Sequence, residues 1–478
     1  MADFDPSDKN ELYVQYKEEW QSNLDFAEMS LATLRDGSYL PQWGGVESES
    51  QGQYNRRKEW SAQFDPAPEL VDIRVKEIWR TNPERVYEDS TYAKQIEAFI
   101  NNVDGAGTHM DTAMKRVTEL MHVNGVDVLV DKESSIGEPL TLADEAGQPY
   151  ISMFGPLDRP DWGTDHAGKY YFVRYDLGED QRMDEGGESE DLHWYVTYTR
   201  DVGRVHLSST DGTETEEFRH NMGIVPVVQV YWGGSIQHPN EAIATSIMSQ
   251  LSPLSQYMLK LSSQGQLDLF MSVAFFVATG IQPEELPKEL GASFMVAMQT
   301  AEADLKPVFA NVDHIVEKRE WMQYIWMLML KKGKVTGLSG TLDGTAQSGV
   351  QVAIEASPLH SELATTAGVL ERAEVEIMRL AISRMEGRLI PVNELGYSVK
   401  YSKNFTLQST RTLIDELKAL SEVEGVQMFA EIMRVFMRKL ANSIAMPGSP
   451  EHSKMIAEID SFVGDDVDPE PILTTEDE

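Results

Sequence analysis

The most concentrated basic group in the sequence is Lys331-Lys332-Gly333-Lys334. Clustered lysines are side chains that neutralise the phosphates of nucleic acids. These lysines also stand at the end of a predicted helix, where cations stabilise the helix dipole, and the local sequence favours this capping role over a DNA contact. Gly333-Lys334-Val335-Thr336 imitates the end of a nucleotide-binding P-loop, but no upstream glycine has the required spacing.

A second candidate is Asp104-Gly105-Ala106-Gly107, a glycine loop before a predicted helix. Such a loop can hold a phosphate at a helix N-terminus. The acid Asp104 and the lack of a nearby lysine favour a tight turn that leads into a packed helix. Asp127 and Asp131 are acids that a metal-dependent hydrolase could use, although no motif spacing supports such a site. The histidines show no metal-ligand spacing either, and His314 and His360 are expected to be polar helix residues.

The charge balance limits the kinds of partner that the chain is expected to bind. Its 478 residues carry 78 acids against 41 Lys and Arg, a formal net charge of −37. Proteins that hold nucleic acid at equilibrium usually present a basic face, so tight DNA binding is not expected. An acidic wall would repel DNA and let it slide, but the simpler interpretation is solubility through charge repulsion.

Other classes are excluded by composition. The chain has no cysteine, which rules out disulfides, thiolate catalysis and Cys-type zinc sites. Met1-Ala2-Asp3-Phe4-Asp5 is acidic and polar, so no signal peptide is expected there. The most apolar run, 267–281, contains Asp268 and is too short to span a bilayer. We therefore expect a soluble protein that is made in the cytosol, without a membrane partner.

The first half of the sequence predicts helices followed by strands. Helices are expected over 10–34, 65–88 and 90–102, and a further helix carries Met110, Met114, Val117 and Met121 on one face. A buried strand follows at 126–131. Aromatic and β-branched runs predict strands at 170–175, 194–198, 204–207, 216–220 and 225–232. The acidic, Gly-containing segment 176–191 is expected to be an exposed hairpin loop.

The second half is predominantly helical. Apolar stripes predict long helices over 240–270, with Pro253 inside, over 312–332, and over 350–386, with Pro358 inside as a kink. Short strands are expected at 273–281, 294–298, 305–308 and 397–405. Helices are expected at 410–423, 426–440 and 449–462, and the acidic tail 464–478 is expected to be disordered.

The order of these motifs resembles the portal proteins of tailed bacteriophages. The residues that carry the resemblance are the Asn-x-Asp-Gly-x-Gly and Gly-x-x-x-x-Val-Asp patterns within 102–131, Ile224-Val225-Pro226, and the opening Ser348-Gly349 of a kinked helix. Tyr39-Leu40-Pro41 and Tyr54-Asn55-Arg56-Arg57 are similar to the N-terminal region of the family. The resemblance implies an α+β portal fold with an α/β wing at 1–239, stem helices at 240–270 and 312–332, a small α/β clip at 271–311, a tunnel loop at 333–347, a kinked wing helix and strand at 348–405, and a helical crown with an acidic disordered tail at 406–478.

The resemblance also implies a function. Portal proteins form twelve-fold rings at one capsid vertex, and DNA is packaged and ejected through them. The implied partners are further copies of the chain, double-stranded DNA without sequence specificity, terminase, a head–tail adaptor, and the major capsid or scaffold protein. No cofactor, metal or enzymatic activity is implied. The implied DNA-channel residues are Lys331, Lys332, Lys334, Thr336, Ser339 and Thr341, and the implied stem-packing residues are Trp321, Ile325, Trp326 and Met329.

Two alternatives remain at this point. One is a different virion adaptor or assembly protein that forms a ring or shell without conducting DNA. The other is a soluble enzyme with an acidic active site that uses residues such as Asp127 and Asp131. A central pore wide enough for duplex DNA would separate the portal from the adaptor, and metal-dependent activity on nucleic acid would favour the enzyme.

Overall fold

A computed structural model describes most of the chain. The described residues are 8–30, 34–35, 38–42, 49–61, 65–132, 147–183, 189–209, 212–220, 222–271, 275–279, 304–308, 313–335, 349–403, 405, 438 and 454–459. The helices predicted at 410–423 and 426–440, most of the one at 449–462, the strand at 294–298 and the tail lie outside these residues. So do Thr336, Ser339 and Thr341.

Most of the described helices lie either before or after the central strand region of the sequence. Their bounds are α1 Glu11–Glu28, α2 Gln51–Trp60, α3 Ala67–Ile78, α4 Ala93–Asn101, α5 Met110–Val123, α6 Ile247–Met271, α7 Asp313–Lys332, α8 Gly349–Glu386 and α9 Val392–Leu395. Asn10 caps α1 by accepting a hydrogen bond from the Leu12 backbone N–H at 2.9 Å, as short polar side chains do at helix starts.

The described strands lie mainly between α5 and α6. Their bounds are β1 Glu84–Val86, β2 Val126–Lys132, β3 Pro149–Phe154, β4 Asp161–Thr164, β5 Tyr170–Met183, β6 Ser189–Thr199, β7 Val202–Ser209, β8 Gly212–Arg219, β9 Val227–Val230, β10 Gly233–Gly234, β11 Ala244–Thr245, β12 Phe275–Thr279, β13 Asp304–Val308 and β14 Ser398–Lys400. The mixture of helices and sheets agrees with the predicted α+β class.

Two sheets form the centre of the strand region. One is a five-stranded meander in the order β4-β5-β6-β7-β8, and the other is a three-stranded sheet in the order β3-β2-β9. All their pairings are antiparallel. Strand β2 lies at the middle of its sheet and is buried on nearly every residue, as a central strand covered on both faces must be.

Helix α8 is the long element against which the three-stranded sheet packs, and it contacts α3, α4 and β14 as well. Its buried residues recur at helical spacing, as in Leu363, Ala367, Leu370 and Ile377, each at most 1% exposed. Pro358 lies inside the helix, as predicted. These positions form one stripe of the helix, and the fold of a single chain buries that stripe.

Most predicted elements are present, but some bounds were wrong. The helix predicted at 65–88 ends at Ile78 and strand β1 follows at Glu84–Val86, while the helix predicted at 240–270 begins only at Ile247, after β11. The segment 176–191 is a clear exception, because β5 continues to Met183 and β6 begins at Ser189, so the expected loop is largely strand. Gly178 adopts a φ of +88° at an irregularity in the pairing, which allows the strand to bend rather than end. The strand predicted at 397–405 is confined to Ser398–Lys400.

Candidate functional site

Helix α7 buries one face against the rest of the chain. Ile325 and Met329 are 3% and 0% exposed and belong to the main core, while Met322 and Trp326 pack against that core from its edge. The four positions follow the i, i+3, i+4, i+7 spacing of a single helix face. The predicted stem-packing residues Ile325, Trp326 and Met329 therefore lie on the inner face of α7.

The opposite side of α7 carries four exposed apolar side chains. Val316, Trp321, Tyr324 and Met327 are 43%, 56%, 59% and 54% exposed. The Trp321 and Tyr324 rings touch edge to face with their centroids 5.7 Å apart. Scattered apolar side chains are normal on a surface, whereas adjacent aromatic ones on one helix face indicate a contact surface. Trp321, which was predicted to pack in the stem, belongs to this outer face.

The lysine cluster lies where α7 ends. Lys331 and Lys332 occupy its last turn and are exposed. Lys334 adopts a left-handed φ of +59°, and the Val335 N–H donates to the Leu330 carbonyl at 3.1 Å. This is how a helix commonly satisfies its last carbonyls. The predicted capping position of the lysines is confirmed, and contact of Lys331 and Lys332 with DNA stays a prediction.

Lys334 has a specific partner within the chain. Its ammonium lies 2.6 Å from Oε2 of Glu362 on α8, and Nη2 of Arg74 on α3 lies 3.2 Å from Oε1 of the same carboxylate. Arg74 is 1% exposed. Because a buried charge is costly without a partner, Glu362 fixes α3, α8 and the end of α7 to one another. The sequence did not reveal this pairing.

Gly333 and Val335 complete the attachment. A Cβ atom at Gly333 would lie 2.8 Å from both Cδ atoms of Leu70, so only glycine allows α3 to approach the end of α7 this closely. Val335 is 3% exposed and joins the main core. The chain thus enters the 336–348 segment from a fixed point.

Asp127, a candidate metal ligand, is part of a buried polar network. Its carboxylate accepts hydrogen bonds from Arg159 Nη1 at 2.9 Å and from the hydroxyls of Tyr170, Tyr175 and Tyr231 at 2.9, 3.1 and 3.2 Å. Burial first, and the charge of Asp127 second, raise the pKa of Tyr175 and of Tyr231, so both hydroxyls stay protonated donors. These bonds leave the carboxylate no open side for a metal.

Asp131 is also paired. It lies in an ion pair with Arg384 of α8 and accepts a hydrogen bond from the Tyr198 hydroxyl. Burial lowers the pKa of Arg384 to about 10, which still leaves it charged at neutral pH. Asp127 and Asp131 stand four residues apart on one strand, about 13 Å, too far to share an ion. The two acids therefore act as structural anchors in the described fold.

The glycine loop at 104–107 forms a turn that is occupied by its own acid. Asp104 accepts hydrogen bonds from the N–H groups of Ala106 and Thr108 at 2.9 and 3.0 Å and from the Thr108 hydroxyl at 2.5 Å. Those bonds, led by the hydroxyl, lower the pKa of Asp104. A carboxylate thus stands where a phosphate would bind, which confirms the tight turn.

No group of three or more His, Asp or Glu suited to a metal ion occurs among the residues that the structure describes. His122 is 1% exposed, and burial lowers its pKa to about 4, so it is a neutral core residue. Within the described part of the chain, no helix has the length and apolar character needed to cross a bilayer.

No protein-family model matches the sequence, and no curated protein is significantly similar to it. The fold is similar to a chain in the virion of a native gene transfer agent particle, with a TM-score of 0.40 and 10% identity over 76% of this chain and 86% of that one. It is also similar to a chain in the neck of an empty gene transfer agent particle, with a TM-score of 0.41 and 10% identity over 82% and 90%. Likeness at this level decides neither family nor function.

Proposed function

We propose that the chain is the subunit of a portal ring, the channel for double-stranded DNA at one capsid vertex. The observation that supports this best is the exposed outer face of α7, formed by Val316, Trp321, Tyr324 and Met327. The inner face of the same helix is already packed, so the outer face needs a partner from outside the chain. In a ring, each copy meets two neighbours and can cover such a face.

The order of elements around α7 supports the same role. Helices α6 and α7 contact each other, and the two-stranded sheet of β12 and β13 lies between them in the chain. This is the sequence of stem helix, small clip and stem helix that the portal resemblance implies. The long helix α8, with Pro358 inside it, follows α7 in the implied order.

The proposal assigns finer roles by region. Helices α6 and α7 form the stem, 271–311 the clip where terminase and the head–tail adaptor dock, and 333–347 the loop nearest the DNA. Lys331 and Lys332 provide a ring of positive charge beside that loop, and twelve copies complete the channel. In this role the chain binds no cofactor and catalyses no reaction.

The net charge of −37 is compatible with a conduit. DNA phosphates are repelled by acidic surfaces, and screening limits that repulsion to about 10 Å at moderate salt. A predominantly acidic wall therefore keeps DNA from adhering while it moves. The few lysines near the loop would make brief contacts whose strength falls as salt rises.

The test is negative-stain imaging of the purified protein beside the variant Trp321→Ser/Tyr324→Ser. We expect rings of about twelve-fold symmetry with an open centre for the unaltered chain, and their loss in the variant. Covering each half-exposed side chain of this size contributes roughly 1 kcal/mol, and every copy repeats the contact. Val14→Ser, which removes a 63% exposed apolar side chain from α1, is the matched control and should leave the rings intact.

The outcomes separate the candidates. Rings whose centre is closed or narrower than duplex DNA would favour a non-conducting adaptor. A variant that still assembles would show that the outer face of α7 is not the subunit contact. Monomers that hydrolyse nucleic acid when a divalent metal ion is added would refute the structural role altogether.

A further inference from the structure

The hairpin of β5 and β6 extends beyond its sheet. The two strands pair with each other out to Met183 and Ser189, whereas β6 pairs with β7 only as far as His193. Residues 179–183 and 189–192 therefore form a two-stranded ribbon that no third described strand covers. We call this ribbon the arm. An isolated two-stranded ribbon is only marginally stable and has two unpaired edges, so it is suited to pairing with another chain.

The arm is acidic. Its two strand segments contain Glu179, Asp180, Glu190 and Asp191 against a single base, Arg182, a formal charge of −3. Charged residues on exposed strand edges limit indiscriminate pairing. They still permit pairing with a surface of opposite charge, because complementary charges select the partner.

A groove of about 990 Å³ lies between α8 and β9, away from the arm. One wall is α8 from Val369 to Leu380, a length of about 16 Å at helical rise. The facing wall is the segment from Gly223 to Tyr231, which includes β9. A groove that runs along a helix and a strand fits an extended segment better than a compact molecule.

Strand β9 presents an open edge to this groove. It is the last strand of the order β3-β2-β9. The Val130 N–H donates to the Pro226 carbonyl at 2.9 Å, and antiparallel alternation then directs the backbone groups of Gln229 away from β2. The side-chain Nε2 of Gln229 is buried without a hydrogen-bond partner. An added strand would supply partners for such groups.

The rim of the groove is positive in a strongly negative protein. It carries Lys169, Arg200, Arg372 and Arg379 against Asp165 and Glu376, a formal charge of +2. Arg379 binds Glu376 at 2.9 Å, and Arg200 lies 3.8 Å from Asp165. Lys169 and Arg372 are exposed and remain available to an acidic partner.

The arm cannot occupy the groove of its own chain. Tyr170, the first residue of β5, lines the groove, and Met183 ends the same strand in the arm. Thirteen residues of strand span about 43 Å, so groove and arm lie at opposite ends of one hairpin. A contact between them must join two copies head to tail, and such heterologous contacts close into rings when the rotation between copies allows it.

We infer that the arm of one copy lies in the groove of the next and adds a strand to the open edge of β9. The acids of the arm then meet Lys169 and Arg372. This inference deepens the proposed function and rests on it only in requiring that copies of the chain assemble. It identifies a second contact between neighbours, separate from the outer face of α7.

The test is disulfide crosslinking, for which the natural absence of cysteine provides a clean background. Gln181→Cys places a thiol on the arm and Val392→Cys places one on the groove wall, at a side chain that is 54% exposed. Mixing the two single variants under mild oxidation should yield a covalent dimer, and the double variant should yield a ladder of linked copies. Gln181→Cys mixed with Lys76→Cys, whose site on α3 is exposed, is the matched control and should give no product.

Charge exchange provides an independent measurement. Lys169→Glu/Arg372→Glu should abolish the crosslink between Gln181→Cys and Val392→Cys, which lies on the groove wall. Adding Glu190→Lys/Asp191→Lys to the arm should restore it. Lys169 and Arg372 are exposed, so the fold is expected to tolerate their replacement.

The outcomes distinguish a failure of the arm contact from a failure of the portal proposal. Rings in the images without any crosslink would overturn the arm contact and leave the portal proposal in place. Crosslinked ladders without closed rings would support the arm contact and remove the portal ring. A link formed within a single copy, or none at any protein concentration, would overturn the inference.

Discussion

The two long helices α7 and α8 differ in how much of their surface the chain itself covers. Along α8, residues such as Leu363, Leu370 and Ile377 are fully buried, and sheet, helices and the β14 strand surround it. Along α7, Ile325 and Met329 are buried while Trp321 and Tyr324 stand more than half exposed. The apolar stripe of α8 is covered by the fold itself, whereas α7 keeps an apolar outer face that the described residues leave exposed.

Their charged residues differ in the same way. Glu374 of α8 is 0% exposed and binds Arg85 Nε at 2.6 Å and the hydroxyls of Tyr397 and Tyr401 at 2.5 Å each. The terminal lysines Lys331 and Lys332 of α7 are exposed. Buried charges need fixed partners, whereas exposed ones contribute little to stability. Folding stability should therefore depend on α8, and assembly on α7.

The largest expected effect comes from Glu374→Gln. The substitution removes the negative charge of a buried side chain. Asp111, 2.6 Å away, then remains as the ion-pair partner of Arg85. Breaking a buried pair in this way costs about 3–5 kcal/mol, which denaturant unfolding followed by tryptophan fluorescence would measure. Glu394→Gln, which removes an exposed partner of Arg388, should cost less than about 1 kcal/mol. Equal losses would contradict the contrast between buried and exposed charges.

The next effect concerns pH and His122. Burial lowers its pKa to about 4 from an ordinary 6.5, so the unfolded chain binds the extra proton first. Its contribution is present above pH 6.5 and is lost as the pH falls toward 4, by up to about 3 kcal/mol. His122→Gln should flatten the dependence of the unfolding free energy on pH in this range. His166→Gln, at an exposed site, should leave the dependence unchanged.

Gly333→Ala should have a smaller effect, at the contact between α3 and the end of α7. The new methyl group would meet the Leu70 side chain at 2.8 Å, and overpacking of this kind costs about 1–3 kcal/mol. The second substitution Leu70→Val makes room and should recover part of the loss in thermal unfolding. A destabilisation that Leu70→Val does not relieve would place the cause elsewhere than in the contact between α3 and α7.

The sequence predicted the elements with strong local patterns. Helix α5, strand β2 and helices α7 and α8 carry continuous apolar periods, and their observed bounds lie close to the expected ones, whereas α6 begins at Ile247 rather than at 240. The arm was predicted as a loop because Gly and acids dominated its composition, while the partner strand that makes it a ribbon is visible only in the pairing. Domain assignments from the portal resemblance stay predictions.

The site could be predicted only in part. The lysines were expected at the end of a helix and lie there, and Trp321 was marked as a packing residue without a direction. The partners of Lys334, Asp131 and Glu374 are Glu362, Arg384 and Arg85. No local pattern joins these pairs, because chain topology rather than spacing brings them together.

The attachment of Lys334 and Val335 has a mechanical consequence. Tension on the chain beyond residue 335 would be borne first by the Val335 side chain in the core and by the Lys334–Glu362 ion pair. From Glu362 the load passes to α8 and, through Arg74, to α3. The outer face of α7 lies off this load path, so pulling on that segment would strain the interior of the chain before it disturbed that face.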